Sequence, residues 1–198
     1  PRTYSSYISK DGAILFQSGI EIAKIGVAAA ASSPAPKLTC ADISKNDKPD
    51  LTAFVVADCP FGLQMQRVFK KAISEEINLK NYLTVRYLGA ITDAKITSMH
   101  GDKEAQENLR QICLREEQKD KYWDYLSCYM KEGKSSECLT STNVNTIILN
   151  ACVADSNRGL KFAQADFAIA DKLGIGGSPT LIMNNSQKVS EFDFGGRT

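Results

Sequence analysis

The sequence contains one histidine and no Cys-x-x-Cys pair among its six cysteines. Zinc sites are usually built from closely spaced cysteine pairs or from several histidines. Neither is available, so no metal site is expected and no cofactor is implied. No apolar run approaches the roughly 20 residues that cross a bilayer as a helix. Residues 13–31 come nearest, and Glu21 and Lys24 interrupt them. The same interruption spoils a signal peptide, so a mature or truncated N-terminus is expected. Neither sign of charge is in surplus, with 24 Lys+Arg against 23 Asp+Glu. No long basic stretch alternates with aromatics, which argues against nucleic acid as a partner.

What is present is a chain of 198 residues, 43% hydrophobic. That suffices for one domain with a core, or one domain with an appendage. Five of the cysteines lie between Cys59 and Cys152 at irregular spacings. Cysteines so used point to disulfides, and disulfides to an extracytoplasmic compartment: periplasmic, secreted or lumenal.

The first 36 residues read as an appendage. Residues 4–17 pattern as a β-hairpin turning at Lys10-Asp11-Gly12. A linker rich in small residues, Ser and Pro follows over 26–37. The hairpin is suited to docking on a protein partner. The main domain is expected over 37–198. Leu51–Ala57 reads as a buried strand and Phe61–Leu79 as a helix, with Leu63, Met65, Val68, Phe69, Ala72, Ile73 and Ile77 close to helical spacing. Tyr82–Ile91 is the next strand, so the three form a βαβ unit with parallel strands. Residues 102–172 read as almost all helix. The segments are Asp102–Glu117, Asp120–Glu132 with Asp120 as N-cap and Gly133 as stop, Ser136–Leu139, Val144–Val153 and Arg158–Leu173. The aromatics Tyr122, Trp123, Tyr125 and Tyr129 recur at helical spacing and read as core. After Gly176-Gly-Ser-Pro-Thr180, Leu181–Met183 and Lys188–Phe194 pattern as a terminal β-hairpin around Asn184–Gln187. Asn184-Asn-Ser186 is formally a glycosylation sequon.

Two short stretches carry a resemblance. Leu51-Thr-Ala-Phe-Val-Val56 runs into Ala57-Asp-Cys-Pro-Phe-Gly62 at a helix start, and Gly177-Ser-Pro-Thr180 opens the last hairpin. With a helical segment between them, this order resembles a thioredoxin fold with an all-helical insertion, as in the DsbA-like oxidoreductases. It is also similar to the gamma-interferon-inducible lysosomal thiol reductases, whose insertion is cysteine-rich. The resemblance covers about 38–198 and implies an α/β fold. It implies that Cys59 is the nucleophilic thiol, with Pro60 and Phe61 in the two intervening positions. It implies that Pro179 is the cis proline beside the active cysteine, and that Ser178 and Thr180 flank the place where an extended peptide pairs. Two departures stand out. Gly62 occupies the position of the resolving cysteine, and the family's final helix is missing after Thr198.

A thiol at a helix N-terminus meets unpaired N–H groups and the positive end of the helix dipole, and both favour thiolate. Pro60 suits the first turn because it has no N–H to leave unpaired. With Gly62 in place of a second thiol, a mixed disulfide on Cys59 persists until an external thiol reductant arrives. The expected activity is monothiol exchange, isomerase-like or reductase-like, on cysteine-containing proteins or peptides. A non-catalytic binding or structural module held by disulfides is the second reading. Cys59 is then a packed thiol, or is bridged to Cys40. In the insertion, Cys113, Cys128, Cys138 and Cys152 allow three pairings. The favoured set joins Cys128 to Cys138 around Gly133 and Cys113 to Cys152 between helices. His100, in Ser98-Met-His-Gly101, is either a proton shuttle for Cys59 or a loop histidine at a helix start.

Overall fold

A computed structural model describes residues 45–189 and two short strands near the N-terminus. The chain divides into two compact units, Pro1–Ile43 and Ser44–Thr198. In the first unit, β1 (Tyr7–Ile8) pairs antiparallel with β2 (Leu15–Phe16), Tyr7 opposite Phe16. The linker expected over 26–37, Cys40 and the residues after Val189 lie outside the described residues.

The second unit is built on β3 (Leu51–Val55), α1 (Pro60–Glu75) and β4 (Leu83–Tyr87). β3 and β4 are parallel, with Leu51 opposite Leu83. Near the end of the chain, β7 (Thr180–Met183) pairs antiparallel with β3, and β8 (Gln187–Val189) pairs antiparallel with β7. The resulting four-stranded order is β4-β3-β7-β8. β3 is central, and its alternation serves both faces. Ala53 and Val55 pack into the main core with Met65, Phe69 and Ile73 of α1. Phe54 and Val56 pack into a smaller cluster with Cys59, Leu88, Ala170 and Ile182.

Between β4 and β7 lies the insertion. Its helices are α2 (Asp102–Glu117), α3 (Lys119–Glu132), α4 (Ser135–Ser141), α5 (Thr146–Ala154) and α6 (Lys161–Lys172). Tyr122, Trp123, Tyr125 and Tyr129 are all buried in it. Gly133 ends α3 in the left-handed conformation, φ 64°, where a side chain is disfavoured. Two disulfides bind the helices: Cys113–Cys152 joins α2 to α5, and Cys128–Cys138 joins α3 to α4. A buried carboxylate fixes the insertion to the sheet. Asp166 of α6 accepts from Arg86 Nη1 at 2.7 Å, from Arg115 Nη1 at 2.7 Å and from the Tyr87 amide at 3.0 Å. One residue therefore connects α6, α2 and β4.

Several boundaries differ from the sequence reading. The second strand ends at Tyr87, and a separate hairpin follows, β5 (Ala90–Thr92) with β6 (Lys95–Thr97). It turns through Asp93 and Ala94 at φ 51° and 58°, without the glycine that marks such a turn in a sequence. α1 ends at Glu75 and gives way to a 3₁₀ turn, Ile77–Asn81, because the Glu76 carboxylate accepts from the Asn78 amide. Gln118, not Asp120, occupies the N-cap of α3. The Gln118 side chain is spent elsewhere, bridging to the backbone of Asn145 at 2.8 and 3.0 Å. Asp120 instead lies in the first turn, where its charge suits the helix dipole.

The two disulfides close loops of different length, with sequence separations of 39 and 10. Chain entropy then predicts unequal losses, roughly 4 kcal/mol for Cys113→Ala with Cys152→Ala and about 3 kcal/mol for Cys128→Ala with Cys138→Ala. Urea unfolding of the oxidised double variants, followed by circular dichroism, checks the ordering.

Candidate thiol site at the β3–α1 junction

β3 runs out at Val55, and three residues turn the chain before the helix begins. Cys59 is the N-cap of α1 and Pro60 fills its first position. The Cys59 side chain makes no capping bond, so no side chain covers the first-turn amides. A helix start in that condition attracts negative charge. Cys59 is a free thiol, 8% exposed. Its Sγ donates to the carbonyl of Ser178 at 3.3 Å. The Ser178–Pro179 peptide bond is cis, and Thr180 Oγ1 closes the same loop onto Gly177 O at 2.8 Å. Residues 59–62 and 178–180, distant in sequence, thus meet at one place. Phe61 projects outward, 66% exposed.

Gly62 faces inward against that loop. A Cβ built there would come within 2.8 Å of Ser178 Oγ and 3.3 Å of the Val56 carbonyl oxygen. Ser178 Oγ is not free to swing away without loss, because it accepts from the Val56 amide at 3.0 Å. Gly62 and Ser178 are therefore complementary: the hydroxyl takes the space a side chain at 62 would need.

The turn into the helix has amides that the sheet cannot satisfy, and three separate side chains satisfy them. Val56 N–H goes to Ser178 as above. Ala57 N–H goes to Asn108 Oδ1 at 2.8 Å, and Asp58 N–H goes to Glu104 Oε2 at 3.2 Å. Glu104 and Asn108 are one helical turn apart on α2 and both fully buried. Asn108 also donates to Leu88 O at 3.2 Å and to Ser98 Oγ at 3.0 Å. The Asp58 carboxylate receives the hydroxyl of Tyr129 from α3. Burial, then the hydrogen bond to Asp58, pushes the Tyr129 phenol far above its usual range, so it remains a donor.

His100 lies beside this clamp. Its Nδ1–H donates to Glu104 Oε2 at 2.6 Å, and its side chain is 53% exposed while that of Glu104 is fully buried. The hydrogen bond and charge of Glu104 raise the imidazole above the ordinary histidine range. Burial pushes the Glu104 carboxyl upward, but hydrogen bonds from Ser98, His100 and the Asp58 amide outweigh it and the net shift is downward. Both shifts favour the ion pair.

A groove of about 740 Å³ opens between α1 and the Ser178-Pro179 loop that Cys59 contacts, without Cys59 itself in its lining. Phe61, Met65 and Val68 of α1 line one wall, and Ile175, Pro179 and Ile182 the other. Its size and apolar walls suit the side chains of an extended peptide. Among the described residues, no group of three or more His, Cys, Asp or Glu is placed to hold a metal ion. No helix of the described residues is long and apolar enough to cross a membrane.

Sequence reasoning located the two loops that carry Cys59 and Pro179. It missed Glu104, Asn108 and Tyr129, which hold the first loop in place. The available signal was weak: buried polar residues at a four-residue spacing within a helix rich in charge. Replacing Asn108 by Ala leaves the Ala57 amide without its partner in a dry site. We expect a loss of about 2–3 kcal/mol, read from urea unfolding. Asn108→Asp keeps the acceptor for Ala57 but sets a buried carboxylate against Leu88 O and one turn from Glu104, and should lose at least as much.

No family model matches the sequence, and no curated protein matches it significantly. Solved structures do match. The chain is similar to oxidised BdbD from Bacillus subtilis, at 15% identity and TM-score 0.57, over 77% of this chain and 85% of that one. It is similar to the thiol-disulfide exchange protein alpha-DsbA2 from Wolbachia pipientis, at 14% identity and TM-score 0.55, over 77% and 79%. It is also similar to the oxidoreductase NmDsbA1 from N. meningitidis, at 12% identity and TM-score 0.52, over 79% of each chain. These matches, with the sheet order and the position of the insertion, establish that the chain has the DsbA-like thioredoxin fold.

Proposed function

We propose that the protein performs thiol–disulfide exchange on cysteine-containing proteins or peptides through Cys59 alone, in an extracytoplasmic compartment. The observation that carries this reading is the placement of a free thiol at an uncapped helix start, against a Ser-Pro loop that lines an apolar groove. The extracytoplasmic assignment rests on the two disulfides of the insertion.

The chemistry is a displacement. The Cys59 thiolate attacks one sulfur of a substrate disulfide. The substrate S–S bond breaks, a bond between Cys59 Sγ and that sulfur forms, and the other sulfur leaves as thiolate. An extended peptide lies along the Ser178-Pro179-Thr180 loop, with an apolar side chain in the groove beside Phe61. Because position 62 carries no thiol, release requires a second nucleophile from outside the motif. A different cysteine of the substrate gives isomerisation, and a small external thiol gives reduction. In isomerisation the incoming substrate thiolate takes the substrate sulfur and Cys59 leaves as thiolate. In reduction the external thiolate attacks Cys59 Sγ and the substrate sulfur leaves as thiolate. A second external thiol then displaces Cys59 as thiolate, so that two external thiols end as a disulfide.

A second reading has one observation in its favour. Cys59 is only 8% exposed and is hydrogen-bonded to Ser178 O. A thiol so held also suits a scaffold that binds partners without exchanging disulfides. The two readings separate in one experiment. The native protein is incubated with oxidised glutathione, examined by intact mass and peptide mapping, then assayed for recovery of activity from scrambled ribonuclease. A glutathione adduct on Cys59, with isomerase activity lost in Cys59→Ser, supports exchange. An unmodified Cys59 and no activity above the Cys59→Ser background overturn it and leave the scaffold.

Gly62 yields a further expectation. Gly62→Cys restores the Cys-x-x-Cys spacing but drives Cβ into Ser178 Oγ. We expect a stability loss of about 1–3 kcal/mol from overpacking and no internal disulfide with Cys59 under mild oxidation. Thermal unfolding and free-thiol titration check both.

A further inference from the structure

Among the charged residues near the site, one pair has no place in the exchange steps above. The Glu104 carboxylate is fully buried and accepts four hydrogen bonds, from Ser98 Oγ at 2.6 Å, from the His100 amide at 3.2 Å, from His100 Nδ1 at 2.6 Å and from the Asp58 amide at 3.2 Å. The last two fall on the same oxygen, Oε2. That atom therefore joins the imidazole to the residue immediately before Cys59. Among the partners in the described residues, the His100 imidazole alone can bring a positive charge to it. A buried carboxylate with a single cationic partner depends on that partner for its compensation.

The charged groups facing His100 are Glu104 of α2 and Asp58 of the active loop, both acidic. Tyr129 reaches this set from α3 through Asp58, and stays neutral because its phenol is held far above the usual range. The local balance next to Cys59 is thus two carboxylates and one imidazole. When the imidazole is protonated, one of the carboxylates is neutralised. When it is not, the Glu104 carboxylate stands uncompensated against the amide of the residue that precedes Cys59.

We infer that His100 is a positioning residue for Cys59, one whose imidazolium neutralises buried Glu104 and so keeps the field at the thiol permissive for thiolate. The inference rests on the reading of Cys59 as an exchange thiol. It departs from a direct proton shuttle, since His100 acts through Glu104 and the Asp58 amide and exchanges no proton with the sulfur. Its raised affinity for a proton extends the protonated state toward neutral pH. The dependence on pH follows in sign. Below the ordinary histidine range the pair is charged and compensated. As pH rises through the raised value, His100 becomes neutral and its support for the thiolate is withdrawn.

The test is the rate of iodoacetamide alkylation of Cys59 across a pH series, assigned by peptide mapping on the full, non-reduced chain. The wild type is compared with His100→Gln, which retains a side-chain donor without charge, and with the double variant His100→Gln/Glu104→Gln. At about pH 6, where the wild-type imidazole is charged, His100→Gln should be slower by about fivefold. At about pH 9, where histidine is neutral in any case, the two rates should converge. The double variant should return toward the wild-type rate, because the carboxylate charge is gone as well. A role in hydrogen bonding alone predicts no convergence and no rescue. Equal rates for wild type and His100→Gln at every pH overturn the inference while leaving Cys59 as the exchange thiol. The same holds for a slower rate that neither converges nor is rescued. Should Glu104→Gln fail to fold, by circular dichroism, the comparison of the wild type with His100→Gln decides alone. The wild-type profile must then show a second inflection in the histidine range that the variant lacks. A Cys59 that does not alkylate in the folded wild type overturns this inference together with the exchange reading.

Discussion

The site depends on where three backbone amides find acceptors. β3 ends at Val55, and the chain turns through Val56, Ala57 and Asp58 in a nearly dry interior. Their N–H groups cannot remain unpaired there without a cost of about 1–3 kcal/mol each. Ser178, Asn108 and Glu104 supply the acceptors, from the Ser-Pro loop and from α2. Cys59 follows at once, so the position of its sulfur is fixed by side chains drawn from two regions remote in sequence. The helical insertion thus does more than sit beside the sheet. Its first helix holds the loop from which the thiol projects.

That role requires the insertion itself to be rigid relative to the sheet. Asp166 binds Arg86 of β4 and Arg115 of α2 through the same carboxylate, and it also accepts from the Tyr87 amide. Removing one partner of such a buried set strands the others, which is why it constrains geometry more than it adds net stability. The disulfides act on the far side of α2 and on α3. Cys113 ties α2 to α5 one turn beyond Asn108, and Cys128 ties α3 to α4 next to Tyr129, the residue that holds Asp58. Each cross-link lies on a helix that also touches the thiol loop. The cysteines of the insertion and the cysteine of the site are in this sense one system, with the former limiting the motion of the latter.

How much of this the sequence disclosed follows from the range of each interaction. The strand-Cys-Pro-helix junction is local, as is the Gly-Ser-Pro-Thr loop, and both could be read directly. The helices of the insertion were legible from periodicity, and Gly133 from its place as a stop. The hairpin β5–β6 was not, because Asp93 and Ala94 adopt positive φ without the Gly or Asn that would announce a turn. Gln118 was overlooked as a cap because its side chain is engaged with Asn145, 27 residues away. Glu104 and Asn108 were invisible as site residues for the same reason. They lie about 50 residues from the amides they serve, and a polar residue on a charged helix looks solvated until its burial is known. Gly62 was legible as a missing thiol, but the steric reason for it depends on Ser178, 116 positions later.

That steric reason changes how the missing thiol is understood. If Gly62 were only a lost cysteine, the site around it would retain room for a sulfur. Instead the space is taken by Ser178 Oγ, which is itself employed in holding Val56. Restoring the thiol at 62 therefore disturbs the hydroxyl, and removing the hydroxyl strands the first amide of the active loop. The three groups, Gly62, Ser178 and Val56, form a closed arrangement in which a resolving cysteine has no place. On the exchange reading proposed above, a mixed disulfide on Cys59 meets no sulfur at position 62 to displace it. Its lifetime would be governed by the supply of outside thiols and by how well the groove retains the substrate. Chemistry of that kind favours a protein that holds a client through one covalent bond while the client's own cysteines rearrange.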